Sequence, residues 1–305
     1  MRVADLDLEE LKYILKTSGL LLQTGRFTTK VVCSIEAVAI DIVTLYGNTC
    51  LLKDAFYDFS IELRGSSGPR RWLRPQVDFF FNGVQPFTPL PLEQATPLLE
   101  WGLNWCVSNH YHQKLLVHAA ALEKNGRALI LPGQPGAGKS TLCAALVLKG
   151  GYRLLSDELT VIDLSNGEVS PNPRPISLKN KAIEVIRELS PQTLCTKTVQ
   201  DTMKGAVSLF RAPQDSVQRV NETARPGLVL FPKFNSSAST LNLQTVAKCH
   251  AFIELANQSF NYPILGALGF NAIAKHLDSA SCFNLEYDGD LSVAIELVDE
   301  LMLNE

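Results

Sequence analysis

From residue 6 to residue 22 the chain sets Leu8, Leu11, Ile14 and Leu15 on one helical face and pauses at Gly19. That spacing predicts a short amphipathic helix. The runs FTTKVVCSIEAVAIDIVTLY, FYDFSIELRG and QVDFFFNG follow, mixing β-branched and aromatic residues between turn signals such as GSSGP. They predict strands and one helix ending at Tyr46, an α+β region. Prolines at 86, 89, 91 and 97 break regular structure, so a domain boundary is expected between residues 86 and 97. A helix from about Leu98 to Tyr111 comes next, carrying Trp101 and Trp105 four residues apart in what reads as a core stripe. Two apolar runs then flank Lys124-Asn125-Gly126, a hairpin signal. Beyond residue 160 short apolar runs alternate with helical patterns, through LTVIDL, LKNKAIEVIREL and PGLVLFPKF to the tail LSVAIELVDELML. The division is 1–95, α+β, and 96–305, α/β.

Composition narrows the classes. At 305 residues, with 46% hydrophobic and 19% charged positions, the chain can bury a core without disulfides. A net charge of −3 offers no general basic field for nucleic acid. The seven cysteines are scattered and never form C-x-x-C, which speaks against a zinc site or disulfide framework and suits a reducing cytoplasm. The start, MRVADLDLEELKYIL, has acids where a secretory signal has a basic run, and no apolar stretch spans a bilayer. The expectation is a cytoplasmic protein with neither nucleic-acid nor membrane partners.

The chemistry begins at Gly133-Gln134-Pro135-Gly136-Ala137-Gly138-Lys139-Ser140-Thr141, which matches G-x-x-x-x-G-K-[ST]. Context gives the pattern its weight: ALIL supplies a buried strand before it, and STLCAALVLK a helix after it that stops at Gly150-Gly151. The glycines let backbone approach phosphates, and N–H groups at the helix start favour anions. Lys139 would reach the β and γ phosphates, Ser140 would take a Mg²⁺ position, and Thr141 would support the metal or the helix start. A strand over residues 152–155 then delivers Asp157 and Glu158, which follow Lys139 by 18 and 19 residues. Adjacent acids at a strand end can split roles, one facing a metal and the other a nucleophile.

With LVHAAALEKNGRALILPGQPGAGKSTLCAALV, YRLLSDE, TGRFTTKV, LEWGLNWC, RPISLKN and FNYPILGALGF in view, the chain resembles the HPr kinase/phosphorylase group. Within it, the likeness is to the subgroup called HprK-related kinase A, over most of the chain. The resemblance implies a P-loop, HPr-kinase/PEP-carboxykinase-like nucleotide-binding fold in the C-terminal domain beside a smaller α+β N-terminal region. It implies ATP and Mg²⁺ as cofactors and a protein or peptide acceptor carrying a serine-type hydroxyl, in a peptide-modification setting. It is compatible with a homo-oligomer. Carried over, Asp157 matches the general base, Glu158 the acid near Mg²⁺, and His118 the family's histidine upstream of the loop. Thr141 stands where the family usually has an acid, and Glu158 where it commonly has a second Asp. Arg174 and Arg225, beside prolines in expected loops, are candidate phosphate clamps; Lys179, Lys204 and the Asp201–Gly205 stretch match the subgroup without a derived role. Two other readings stay open: a nucleotide-dependent peptide-binding or chaperone-like module, and a small-molecule kinase.

Overall fold

The structure is a computed structural model that describes residues 1–237 and 241–303, the side chain of Arg70 excepted. The first helix is α1 (Leu8–Lys16), capped by Asp7, whose carboxylate accepts from Glu10 N at 2.7 Å. Then come β1 (Leu20–Thr24), β2 (Phe27–Cys33), α2 (Glu36–Tyr46), β3 (Phe59–Gly65), β4 (Gln76–Phe81), β5 (Leu90–Pro91) and α3 (Ala95–His110). The strands form one five-stranded sheet in the order β1-β2-β3-β4-β5, with β2 and β3 parallel. The expected boundary falls at the first residue of α3, yet the helix packs backwards. Leu98, Leu99, Leu103, Cys106 and Val107 join the same core as Leu22, Val31, Ile61 and Phe79. Gly102 makes this approach feasible, because a Cβ there would stand 2.1 Å from the Phe79 ring.

The remaining chain runs β6 (Leu115–Val117), β7 (Ala119–Lys124), β8 (Arg127–Pro132), α4 (Lys139–Leu148), β9 (Arg153–Ser156), β10 (Thr160–Ile162), β11 (Val169–Ser170) and β12 (Ile176–Lys179). It continues with α5 (Lys181–Leu189), β13 (Val199–Thr202), β14 (Gly205–Phe210), α6 (Gln214–Gln218), β15 (Arg225–Phe234), β16 (Asn242–Thr245) and α7 (Lys248–Asn257). Last come α8 (Tyr262–Leu265), α9 (Ala267–Asp278), β17 (Ser281–Tyr287) and α10 (Leu291–Leu303). The β7–β8 hairpin turns at Asn125 and Gly126, both with positive φ (54° and 78°), as a tight type I′ turn requires.

The central sheet has six strands in the order β16-β17-β15-β8-β7-β9, and β8, β15 and β17 are mutually parallel. Alternation assigns its two faces. Leu129, Leu131, Leu228 and Leu230 enter one core with α4, α5 and α10, whereas Ala128, Ile130 and Val229 enter another with α7 and α9. Both faces are covered, which is why β8 reads as an unbroken apolar run. Two three-stranded sheets flank it, β11-β10-β6 and β12-β14-β13. The architecture is mixed α/β with several sheets. No described helix is long and apolar enough to cross a membrane.

Candidate functional site

The glycine loop leaves β8 at the carboxyl ends of the parallel strands, the end of an open α/β sheet where crevices form. Gly133, Gly136 and Gly138 all have positive φ, at 145°, 87° and 87°. Gly138 is constrained twice, since a Cβ there would also stand 2.3 Å from the Tyr287 hydroxyl. The neighbouring strand ends pin the loop: Phe234 N donates to Ala137 O at 3.1 Å, and Tyr287 Oη donates to Gly138 O at 3.3 Å. Gln134, Pro135 and Gly136 are exposed, while Ser140 and Thr141 sit half-buried on the first turn of α4, where backbone N–H groups lack intrahelical partners. Lys139 is buried, and its ammonium donates to the carbonyls of Gly133 and, at 3.1 Å, Gln134. Burial pushes that ammonium below the usual lysine range, aided by Lys179 and opposed by Asp157 and Glu158.

At the end of β9 the three residues Ser156, Asp157 and Glu158 separate their tasks. Ser156 Oγ accepts from Leu159 N at 2.9 Å and shapes the turn. Asp157 is 4% exposed; its Oδ2 accepts from Ser177 N at 2.9 Å, and its Oδ1 is buried without a hydrogen-bond partner. Burial, then the Glu158 charge, raise the Asp157 carboxyl to about 6 against the pull of Ser177 N–H, Lys179 and the nearby Ser140 hydroxyl. Glu158 goes the other way. Burial acts to raise it, but Lys204, Lys179, His118 and Arg174 together hold it below its ordinary value. Its Oε2 accepts from Asn104 Nδ2 at 2.8 Å, and its Oε1 lies 3.4 Å from Lys179 Nζ and 3.9 Å from Lys204 Nζ.

His118 joins this cluster from the β6–β7 junction, its N–H fixed on Gln258 O at 2.8 Å and its ring centroid 5.8 Å from that of Phe260. Burial and then Lys139 lower its pKa, with Glu158 opposing.

The two expected clamp arginines part company. Arg174 is buried beside the acid pair, but its Nη2 donates to Glu100 Oε2 at 2.5 Å and Glu100 O at 2.7 Å, and its Nη1 to Asn104 Oδ1 at 2.6 Å. It ties the loop before β12 to α3, and through Asn104 it orients Glu158. Arg225 must be corrected: it is exposed and pairs with Arg127 at the amino ends of the parallel strands. The whole of β8 separates it from the glycine loop, roughly 20 Å at 3.3 Å per residue. The tryptophan stripe also divides. Trp105 packs edge-on against Phe81 and Phe87 in the expected core role, whereas Trp101 turns toward the acids, with Lys204 Nζ 5.4 Å from its ring centroid.

A cavity of about 20 Å³ opens beside Asp157, lined among others by Trp101, Asn172, Arg174 and Ser177. It has room for one water-sized group. Asp157 Oδ1, both amide atoms of Asn172, Ser177 Oγ, Arg174 Nε and Trp101 Nε1 are buried there without hydrogen-bond partners. Asn104 and Ser177 fall inside the LEWGLNWC and RPISLKN stretches, but neither they nor Asn172 is singled out by a spacing of its own. The nearest available signal was Glu100, an acid inside the apolar face of α3.

The donor chemistry suits a hard cation. Ser140 Oγ and the unpartnered Asp157 Oδ1 are oxygen ligands lying near each other, whereas both oxygens of Glu158, expected beside the metal, already face cations or an amide. Among the described residues no group of three or more His, Cys, Asp or Glu side chains could hold a metal ion, so such an ion would draw most of its shell from phosphate and water.

The site thus unites a glycine loop, its lysine and an acid pair, Asp157 buried and Glu158 half-buried, at one end of a central sheet. No family model matches the chain, and no curated protein matches it. Among solved structures it is similar to the Hpr(Ser) kinase/phosphatase from Coxiella burnetii, with 13% sequence identity and a TM-score of 0.27, over 62% of this chain and 97% of that one.

Proposed function

We propose that the chain is an ATP- and Mg²⁺-dependent phosphotransferase of HPr-kinase-like P-loop type that phosphorylates a serine-type hydroxyl on a protein or peptide. The observation that carries this reading is Asp157 Oδ1, a buried carboxylate oxygen with no partner, poised next to Ser140 and within the charge cluster of Lys139. A group with a pKa of about 6 is largely ionised at pH 7 yet basic enough to take a hydroxyl proton.

The residues divide the work. Amides of Gly136 to Ser140 cradle the β and γ phosphates at the start of α4. Lys139 exchanges the carbonyls of Gly133 and Gln134 for phosphate oxygens. Ser140, with Asp157 nearby, would hold Mg²⁺, and the ion would supply charge neutralisation on the phosphates. The acceptor oxygen forms a bond to the γ phosphorus as the bond to the β–γ bridging oxygen breaks; the hydroxyl proton passes to Asp157, and ADP leaves with the bridging oxygen. His118, beside the cluster, hydrogen-bonds the acceptor in this reading. In this reading residues 96–305 form the kinase unit and residues 1–95 contribute to acceptor recognition.

The test is transfer from labelled ATP to the acceptor by wild type and by Asp157→Asn. The reading expects loss of transfer by at least about 100-fold, with ATP affinity held within about tenfold. A peptide-binding module would keep its cellular function in the variant, and that outcome would overturn the proposal.

A further inference from the structure

Phosphoryl transfer needs cations on the migrating group beyond those that hold the nucleotide. Arg174 is committed to Glu100, and Arg225 lies at the far end of the sheet. Two lysines occupy the place those arginines were expected to fill.

Lys179 ends β12, two residues after Ser177, so alternation sets it on the face where Ser177 lines a cavity with the acid pair. Lys204 comes from the turn between β13 and β14, and both ammoniums converge on Glu158 Oε1. The second oxygen of Glu158 is taken by Asn104, so one carboxylate faces two cations. The Trp101 ring beneath Lys204 steadies the ammonium but carries no net charge. This arrangement leaves positive charge to spare beside Lys139.

The turn that presents Lys204 is built rather than loose. Lys204 N donates to Thr202 Oγ1 at 3.1 Å, Thr202 Oγ1 donates to Gly205 O at 2.6 Å, and Gln94 Nε2 donates to Asp201 O at 3.2 Å. Gly205 has φ 81°, and a Cβ there would stand 2.4 Å from Asn180 Oδ1. The mutual repulsion shows in the neighbours, since Lys179 lowers Lys139, and Lys204 and Lys179 both lower His118. An anionic group entering between them would relieve it.

We propose that Lys179 and Lys204 contact the phosphoryl group in flight, with Glu158 as the positioning residue that holds the two ammoniums rather than a metal ligand. The proposal rests on the phosphotransferase reading. It makes α3, through Trp101 and Asn104, part of the transfer machinery.

The test uses ADP with Mg²⁺, alone and with aluminium fluoride, whose planar complex imitates the migrating group, and measures affinity by calorimetry. Both lysine side chains are partly exposed, at 34% for Lys179 and 44% for Lys204, so alanine variants leave the core intact. Wild type should bind ADP more tightly with aluminium fluoride. Lys204→Ala and Lys179→Ala should each lose about 100-fold of that gain while keeping ADP affinity within about twofold, and Lys204→Arg should recover part of it. Retention of the full gain in both alanine variants overturns the proposal. So does a wild type that binds ADP without any gain, which leaves the phosphate cradle standing. A wild type that binds no ADP overturns the phosphotransferase reading and this proposal with it.

Discussion

Replacing Asp157 by asparagine should stabilise the folded chain at neutral pH while removing its chemistry. The carboxyl is held at about 6 instead of 3.8, chiefly because burial disfavours its charge. A displacement of about two units corresponds to roughly 3 kcal/mol of penalty on the ionised form, as an order of magnitude. Asparagine keeps an acceptor for Ser177 N–H and carries no charge. The gain should be fully present above pH 6, where aspartate is ionised in both folded and unfolded chains. It should shrink as pH falls and vanish below about pH 4, where both are protonated. Urea titrations of wild type and Asp157→Asn at pH 8, 6 and 4 check this, with a thermal midpoint several degrees higher for the variant at pH 8. A variant less stable than wild type at pH 8, or a difference that does not change with pH, would refute the claim that Asp157 is a desolvated carboxylate.

Three further outcomes follow from particular contacts. Gly138→Ala places a Cβ against the Tyr287 hydroxyl at a positive φ; nucleotide affinity should fall by about 100-fold or more and stability by about 1–3 kcal/mol, read by calorimetry and denaturation. Arg174→Ala leaves Glu100 buried without its cation and should destabilise by about 3–5 kcal/mol in urea; a loss below about 1 kcal/mol would contradict the buried pair. Arg225→Ala should leave both nucleotide affinity and transfer at wild-type levels, because its side chain is exposed at the opposite sheet end.

How far the sequence discloses this site depends on how local each feature is. The β8 strand, glycine loop and α4 are contiguous, and buried alternation plus glycine conformations make them readable. The same holds for the Asn125-Gly126 hairpin and the acids after β9. Arg225 misled because a proline-flanked arginine shows nothing of which end of a strand it occupies; only the parallel pairing of β15 with β8 settles that. Arg174 misled for a related reason, since its partner Glu100 lies 74 residues away on α3, and nothing local to either residue links the two. The convergence of Lys179 and Lys204 on Glu158 needs β12, the β13–β14 turn and the turn after β9 to meet, and no short window of sequence contains all three. Trp101 and Trp105 look alike in periodicity, yet one fills the core and the other faces Lys204, a difference set by what packs against α3.

The most direct test is a single-turnover measurement of γ-phosphoryl transfer from bound ATP·Mg²⁺ to the acceptor between pH 5 and pH 8, for wild type and Asp157→Asn. The wild-type rate should rise through an apparent pKa of about 6, following ionisation of Asp157, and the variant should stay flat and at least about 100-fold slower with ATP still bound. Equal rates in the two proteins, or no phosphoryl transfer from wild type with ATP bound, would contradict the account.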